Sequence, residues 1–178
     1  VLLVQVGGLG YMTATTVLLL LLGRRLGLRD KVAIQQSLDV QGLSGLSGLL
    51  RSIIATTLLF ELTGVIVLML VFLPQFSDRP FFALWQSIFH SVNSFNNAGF
   101  SLFSDSFVQY VGNPIVNLIV TGLIIFGGIG YQVIMELYFW GRDRVTGNPR
   151  RAIFSLNYKI AISTTIALLI IGTIAFFI

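Results

Sequence analysis

The 178-residue sequence contains no cysteine, a single histidine (His90) and few charged residues, which make up 10% of the chain. Without cysteine there is no disulfide, no thiolate ligand for zinc and no thiol nucleophile. One histidine also leaves no histidine cluster that could hold a metal. A soluble core of this size needs far more polar residues to cover it. These absences argue against a soluble domain and against zinc or disulfide chemistry.

Hydrophobic residues, by contrast, make up 55% of the chain, and 15 residues are phenylalanine. Four apolar stretches are long enough to cross a bilayer: about Val1 to Leu22, Ile53 to Leu73, Pro114 to Trp140 and Ile160 to Ile178. The chain opens without a basic leader or a small-residue cleavage site, so we expect no signal peptide and a piece of a longer protein. The sequence therefore predicts an all-α integral membrane protein with several spans.

A fifth apolar stretch, Phe81 to Phe95, lies between the second and third spans. At 1.5 Å per residue it makes a helix of roughly 22 Å, too short for a hydrocarbon core of about 30 Å. It therefore enters the membrane and turns back at Asn96-Asn97-Ala98-Gly99-Phe100. Irregular backbone at membrane depth survives only where protein buries it or where it lines a watery path. The pattern predicts a pore loop, with a pore helix over 81–95 and a filter over 96–100.

Basic residues set the expected orientation, because lysine and arginine in short loops stay in the cytoplasm. Ten of the 11 basic residues flank two connections: Arg24, Arg25, Arg29, Lys31 and Arg51 at the first, and Arg142, Arg144, Arg150, Arg151 and Lys159 at the second. Only Arg79 falls on the opposite side. We therefore expect both basic connections in the cytoplasm and a pore loop that dips in from outside. The net charge of +4 indicates topology and not nucleic-acid binding.

An internal repeat supports the same organisation. Gly7 to Tyr11 and Gly127 to Tyr131 both have the pattern Gly-Gly-apolar-Gly-Tyr, and Ile54 to Thr57 is matched by Ile162 to Thr165. The chain thus divides into an inner helix with its cytoplasmic connection (1–52), one complete helix, pore loop, helix unit (53–140), and a second connection with the first helix of another unit (141–178). One unit cannot enclose an ion, so the other filter strands must come from outside this chain.

These motifs together resemble the Trk/Ktr/HKT superfamily of potassium transporters, and are closest to its Ktr-type membrane subunit. Phe89 to Leu102 is similar to the second pore loop of that superfamily, and the two glycine motifs are similar to the inner helices of its first and second repeats. The resemblance covers essentially the whole chain. It implies four helix, pore loop, helix repeats around one pore, as in potassium channels, with this chain contributing the middle of the protein.

The resemblance implies that Asn97-Ala98-Gly99-Phe100 runs extended along the pore axis, with K⁺ held by backbone carbonyls at Asn97, Ala98 and Gly99. Carbonyls bind a dehydrated cation without the tight grip of a carboxylate. Asn96, Glu61 and His90 are predicted to support this filter. For Asn96 we favour a bond to the pore helix. Glu61, the one carboxylate deep in a span, either bonds the pore helix near His90 or Asn93 or takes part in conduction or gating.

The sequence predicts potassium uptake across the plasma membrane, with no enzymatic activity and no bound cofactor, and it leaves Na⁺ transport open. Two alternatives remain: a secondary transporter with a re-entrant binding loop, or a membrane anchor that conducts nothing. The resemblance also implies a homodimer, embedded in lipid, on a cytosolic ring of nucleotide-binding regulatory subunits. Arg150 and Arg151 are the expected contacts to that ring, although these charges could equally serve only to fix topology. The glycine pairs Gly7-Gly8 and Gly127-Gly128 are interpreted first as close-packing surfaces, and otherwise as flexible points.

Overall fold

A computed structural model describes residues 1–5, 7–8, 43–146 and 154–177. In these ranges the chain forms helices and contains no strand, which confirms the all-α prediction. The five long helices are α1 (Leu43–Gln75), α2 (Pro80–Phe95), α3 (Pro114–Ile129), α4 (Tyr131–Val145) and α5 (Leu156–Phe177), and a 3₁₀ turn covers Val108–Tyr110. Residues 2–5 and 7–8 are also helical. The rest of the first expected span lies outside the described residues.

Among the residues that the structure describes, two helical segments are long and apolar enough to cross a membrane. They are Arg51–Gln75, of 25 residues, and Leu156–Phe177, of 22 residues, each with a mean hydropathy of 2.3. A third span exists if α3 and α4 count together as one bent span. The helix α2, with 16 residues, is only about 24 Å long at 1.5 Å per residue. It is therefore too short to cross the bilayer by itself.

The third expected span, Pro114 to Trp140, is not one continuous helix. It breaks at Gly130, where α3 and α4 meet at a bend of 107°. Gly130 has φ 92° and ψ 150°, a backbone conformation that residues with a Cβ essentially never adopt. Apolar residues continue across the break, so hydropathy alone predicted a single helix where the backbone in fact turns.

The starts of α2 and α3 follow the predicted local chemistry. Pro80 and Pro114 lie in the first turn of their helices, where a missing N–H costs nothing. Asn113 caps α3, since its side-chain Oδ1 accepts hydrogen bonds from Ile115 N at 3.1 Å and Val116 N at 3.2 Å. These signals fix where the chain re-enters helical structure after the loop.

The helix α1 buries two polar side chains in its middle and two large apolar ones nearer its end. Thr57 and Glu61 are each only 5% exposed, and Leu68 and Phe72 are fully buried. An apolar stripe at every fourth position faces outward and consists of Leu58, Leu62, Ile66 and Leu70. An apolar outer face of this kind fits a helix surrounded by lipid or by other membrane helices.

A small core forms where α1, α2 and the return segment 101–113 meet. Its buried members are Leu68, Phe72, Ala83, Tyr110 and Val116. The helix α5 has no buried residue and packs against α3 and α4. Its start is tied to α4, where Glu136 Oε2 accepts a hydrogen bond from Ser155 N at 3.0 Å. The core thus sits beside α2 and holds the loop that follows it.

Candidate functional site

The segment 96–100 leaves α2 through two residues with positive φ. Asn96 caps the helix at φ −82° and ψ 2°, and the chain then passes through Asn97 at φ 54° and Gly99 at φ 74°. Asparagine and glycine are the residues that tolerate this region best. Asn97, Gly99 and Phe100 are all exposed. The segment therefore presents one side to open space, away from the rest of the described chain.

Three carbonyl oxygens of this segment are free to act as ligands. Across residues 1–5, 7–8, 43–146 and 154–177, the carbonyls of Asn97, Ala98 and Gly99 accept no hydrogen bond. By contrast, Phe95 O accepts from Asn97 Nδ2 and Phe100 O accepts from Asn93 Nδ2. A short row of unpaired carbonyls is the kind of group that replaces the hydration shell of a cation.

Asn93 holds the far end of the loop, although the sequence indicated it only as a neighbour of Glu61. Its Oδ1 accepts a hydrogen bond from Phe100 N at 3.3 Å, and its Nδ2 donates to Phe100 O. The side chain is 4% exposed. The sequence signal for this role was an asparagine in the last turn of α2, just before a glycine-containing turn. Its partner, seven residues later, is set by the tertiary path of the loop.

His90 lies in the middle of α2, is 1% exposed, and uses both ring nitrogens. Nδ1 donates to Gln86 O at 2.8 Å, since a carbonyl can only accept. Nε2 therefore accepts from Leu102 N at 3.4 Å and from Ser101 Oγ at 3.1 Å. The ring also stacks on Phe103 with centroids 4.7 Å apart. His90 thus joins the helix to the return segment, and its predicted supporting role is structural in character.

Glu61 meets α2 at a different place from the one expected. Its Oε1 accepts a hydrogen bond from Asn96 Nδ2 at 3.0 Å, and not from His90 or Asn93. Those two side chains are already engaged with the return segment and with Phe100. Asn96 Nδ2 also donates to Val92 O at 2.8 Å, so the Asn96 side chain does bond the helix. Glu61 therefore faces the end of α2 and not its middle.

Two of the motif glycines lie in tight contact with this helix end. A Cβ on Gly127 would overlap the Phe95 carbonyl oxygen, and a Cβ on Gly8 would overlap the Asn96 side chain. A Cβ on Gly7, by contrast, would have nothing within 4 Å. Small residues allow helix backbones to approach closely in membranes. The contacts at Gly8 and Gly127 support the close-packing interpretation.

Two cavities adjoin the segment, and Asn97 lines both of them. One, of about 160 Å³, also contacts Asn93, Gly99, Phe100 and Ile124. The other, of about 120 Å³, lies at the end of α2 and is lined by Gly8 and by residues of α1, α3 and α4. Its polar lining residues are Thr56, Thr57, Asn96, Asn97 and Tyr131. The loop thus has solvent-sized space next to its free carbonyls.

Carboxylate or histidine clusters do not supply a metal site in the described ranges, where no three such side chains come together. A cation at this loop would therefore be held by neutral oxygens. Arg150 and Arg151 lie outside the described residues. Arg51, at the start of the first membrane segment of α1, is exposed.

Comparison with known proteins places this geometry in context. All residues 1–178 match the TrkH family model, described as "Cation transport protein". The chain is 35% identical over 176 residues to "Ktr system potassium uptake protein B" of Bacillus subtilis (strain 168), covering 99% of this chain and 37% of that protein. The Vibrio alginolyticus protein of the same name is 34% identical, covering 98% and 36%. "Potassium/sodium uptake protein NtpJ" of Enterococcus hirae is 31% identical, covering 99% and 37%. The chain thus spans just over a third of these relatives.

Proposed function

This chain belongs to the TrkH family of cation transport proteins, and from that premise we propose that it forms part of a potassium uptake pathway through the cell membrane. The segment Asn97-Ala98-Gly99-Phe100 contributes one strand of a selectivity filter, with K⁺ coordinated at Asn97, Ala98 and Gly99. Three relatives carry potassium uptake in their names, and one of these also carries sodium. The family transports ions, so the protein is not an enzyme.

The row of free carbonyls at residues 97–99 is the observation that carries this proposal. The N–H groups of Asn97 and Ala98 still donate to carbonyls of the helix, Ser94 O and Asn93 O, whereas positive φ at Asn97 and Gly99 turns the chain away from the helical path. Ion-selective filters use such carbonyls because they bind a cation well enough to dehydrate it and weakly enough to release it.

The dipole of α2 favours a cation at the loop. It ends at Phe95, directly before the proposed strand, and a helix C-terminus carries a partial negative charge of about half an elementary charge. In a membrane, where water does not screen it fully, this charge favours a cation near the loop. The helix therefore serves to orient and stabilise the ion site, although it is too short to span the bilayer.

A complete filter needs further strands around a common axis. This chain holds one complete helix, loop, helix unit, and its relatives are more than twice as long. In the proposed assembly, four such units surround the pore and Phe100 lies at one end of the strand. The exposed face of the loop is the face that would meet the other three strands.

The proposed protein lies in the plasma membrane with its basic connections in the cytoplasm, as a homodimer in contact with lipid. Because two relatives are named as parts of a Ktr system, we include a cytosolic nucleotide-binding ring as regulatory partner. Basic residues at the cytoplasmic mouth, Arg150 and Arg151, would meet an acidic surface of that ring by complementary charge.

A Gly99→Ser variant of the full-length protein tests the filter. Gly99 has φ 74° and open space around it, so serine changes the backbone conformation without creating a clash. We expect weaker K⁺ affinity and stronger Na⁺ competition, of about tenfold, in cells lacking other potassium systems, since a backbone strain costs about 1–3 kcal/mol. Gly122→Ser, which also faces open space but lies in α3, is the matched control. Wild-type kinetics in the Gly99 variant at normal expression would contradict the proposal.

A secondary transporter is the second candidate, and the bend at Gly130 favours it. Transporters of this kind often place interrupted helices beside the substrate, and Gly130 lines the cavity at the end of α2. The two candidates differ in energetics. Flux through a pore follows the electrochemical gradient of K⁺ alone, whereas a transporter shows a fixed stoichiometry with a coupled ion, which flux measurements in proteoliposomes resolve.

A further inference from the structure

The Asn96 side chain is held by three elements at once. Its Nδ2 lies 2.8 Å from Val92 O in α2, 3.0 Å from Glu61 Oε1 in α1 and 3.4 Å from Gln5 Oε1 in the segment 1–5. Glu61 and Gln5 therefore both lie against the nitrogen of the Asn96 amide.

The other side of the Asn96 amide is fixed by packing. Gly8 lies so close that a Cβ there would overlap the Asn96 Oδ1, Cγ and Cβ atoms. Hydrogen bonds hold the nitrogen while the glycine backbone blocks movement of the oxygen. The amide thus has one permitted orientation.

A second link fixes α1 against α2 at the same level. Ser91 Oγ donates to the backbone carbonyl of Glu61 at 2.6 Å, and Gly64 packs against that hydroxyl. The backbone of Glu61 is therefore held by α2, which restricts the movement of its carboxyl group. None of its hydrogen bonds within the described ranges goes to residues 97–100.

Asn96 is the last residue before the proposed strand, and its orientation decides where the chain leaves the helix. Asn96, the C-cap, has already left the helical region at φ −82° and ψ 2°, and Asn97 then has a positive φ of 54°. A shift of Asn96 would move the point at which this change occurs, and with it the carbonyls of residues 97–99.

We propose that Glu61 is a positioning residue, which acts through Asn96, together with Gln5 and Gly8, to fix the conformation of the ion-coordinating segment. Glu61 does not touch the ion. This proposal rests on the filter proposed above and adds a residue that determines its geometry from outside. It also links Gln5 and Gly8, near the start of the chain, to the loop of the following repeat.

The test compares two substitutions at Glu61 in the full-length protein, with K⁺ uptake and Na⁺ competition as readouts. Glu61→Gln keeps an oxygen that accepts from Asn96 and should stay within about threefold of wild type. Glu61→Leu removes the acceptor and should lower K⁺ over Na⁺ preference about tenfold, the effect of losing one strong hydrogen bond. Equal loss of preference in both variants would show that the charge attracts the ion, and would overturn the proposal.

A second pair keeps the test decisive if Glu61→Leu fails to assemble. Gly8→Ala displaces Asn96 without changing any charge and should reproduce the loss of preference, whereas Gly172→Ala, with nothing within 4 Å, should not. Normal preference in Gly8→Ala and Glu61→Leu at normal yield would overturn the proposal. Failure of both Gly8→Ala and Glu61→Leu to assemble would also overturn the proposal, because the contacts around Asn96 would then serve folding as a whole. A Gly99→Ser variant run in parallel reports on the filter itself, so the two proposals can fail separately.

Discussion

The Asn93 side chain bonds both backbone polar groups of Phe100, accepting from its N–H at 3.3 Å and donating to its carbonyl. This pair closes the proposed strand at the end opposite to Asn96. Because a side-chain amide offers a donor and an acceptor together, it mimics one rung of a strand pairing. Residues 97–99 are thus fixed at both ends, while their own carbonyls accept no hydrogen bond from the part of the chain that the structure describes.

We predict that Asn93→Ala releases the Phe100 end of the loop. Two buried hydrogen bonds are lost, at about 1 kcal/mol each. The expected result is a K⁺ half-saturation constant raised about tenfold with expression largely retained. Asn157→Ala removes an exposed amide that bonds Gln132, and it serves as the control. Unchanged ion affinity in the Asn93 variant would show that the bond does not hold the ion site.

We predict that Gly127→Ala damages stability more than any nearby glycine substitution. The added methyl would meet the Phe95 carbonyl, a backbone atom that cannot rotate away. Overpacking of this kind costs about 1–3 kcal/mol. Melting temperature and yield in detergent should both fall. Gly122→Ala, in the same helix and with nothing within 4 Å, should match wild type, so equal melting temperatures for the two variants would contradict the close packing.

We predict that the stability of the return segment depends on pH through Tyr110, which lies outside the candidate membrane spans. Burial, and secondly the Asp105 carboxylate, raise the pKa of the Tyr110 phenol above its ordinary range. The folded state thus keeps a proton that the unfolded chain loses above about pH 10. Its stabilising contribution is complete below that pH and is lost as pH rises through the folded pKa.

Tyr110→Phe should therefore lower stability by about 1 kcal/mol near neutral pH, because the 2.7 Å hydrogen bond to Gln75 Oε1 is lost. The difference from wild type should shrink in strongly alkaline buffer, where the tyrosine of the unfolded chain ionises while the folded state still keeps its proton. Thermal melts at about pH 8 and about pH 10.5 measure both effects. Tyr138→Phe, exposed and outside the core, is the control. A difference that stays constant between the two pH values would rule out a contribution from ionisation.

We predict that neutralising Arg150 and Arg151 together weakens binding of the regulatory ring and its nucleotide-dependent activation, while leaving membrane insertion and ion preference intact. The binding should also weaken with salt, as contacts between exposed charges do. Arg79→Gln is the control, because the charge pattern predicts that Arg79 lies on the opposite side of the membrane. Accessibility labelling decides the alternative: inverted loops would mean that the two arginines only fix topology, and full, salt-independent ring binding would remove their partner role.

Much of the helical framework could be predicted from local sequence. Apolar length indicated α1, α2 and α5, and Pro80, Pro114 and Asn113 indicated two helix starts, because these signals act within one turn. The sequence also predicted that α2 is too short to cross a bilayer, and the helix indeed has 16 residues; that it re-enters the membrane stays a prediction.

Contacts between elements were not accessible in the same way. Apolar residues occur on both sides of Gly130, so only the backbone reveals the bend. Glu61 was expected to meet His90 or Asn93, yet both of those side chains serve the return segment and Asn96 takes their place. Which polar groups satisfy each other depends on how α1 is placed against α2, and that is set by packing at Gly64 and Ser91 rather than by spacing.

The double glycines have a consequence for the proposed four-repeat pore. Gly127 lies against Phe95, whereas Gly8, which the sequence repeat assigns to the preceding unit, lies against Asn96. By the same rule, Gly7 would lie against the first loop of the proposed pore and Gly128 against the third. Each inner helix would then separate two neighbouring filter strands by the width of a bare helix backbone. A substitution at one such glycine would disturb two strands, so the four repeats of the proposed pore would not vary independently.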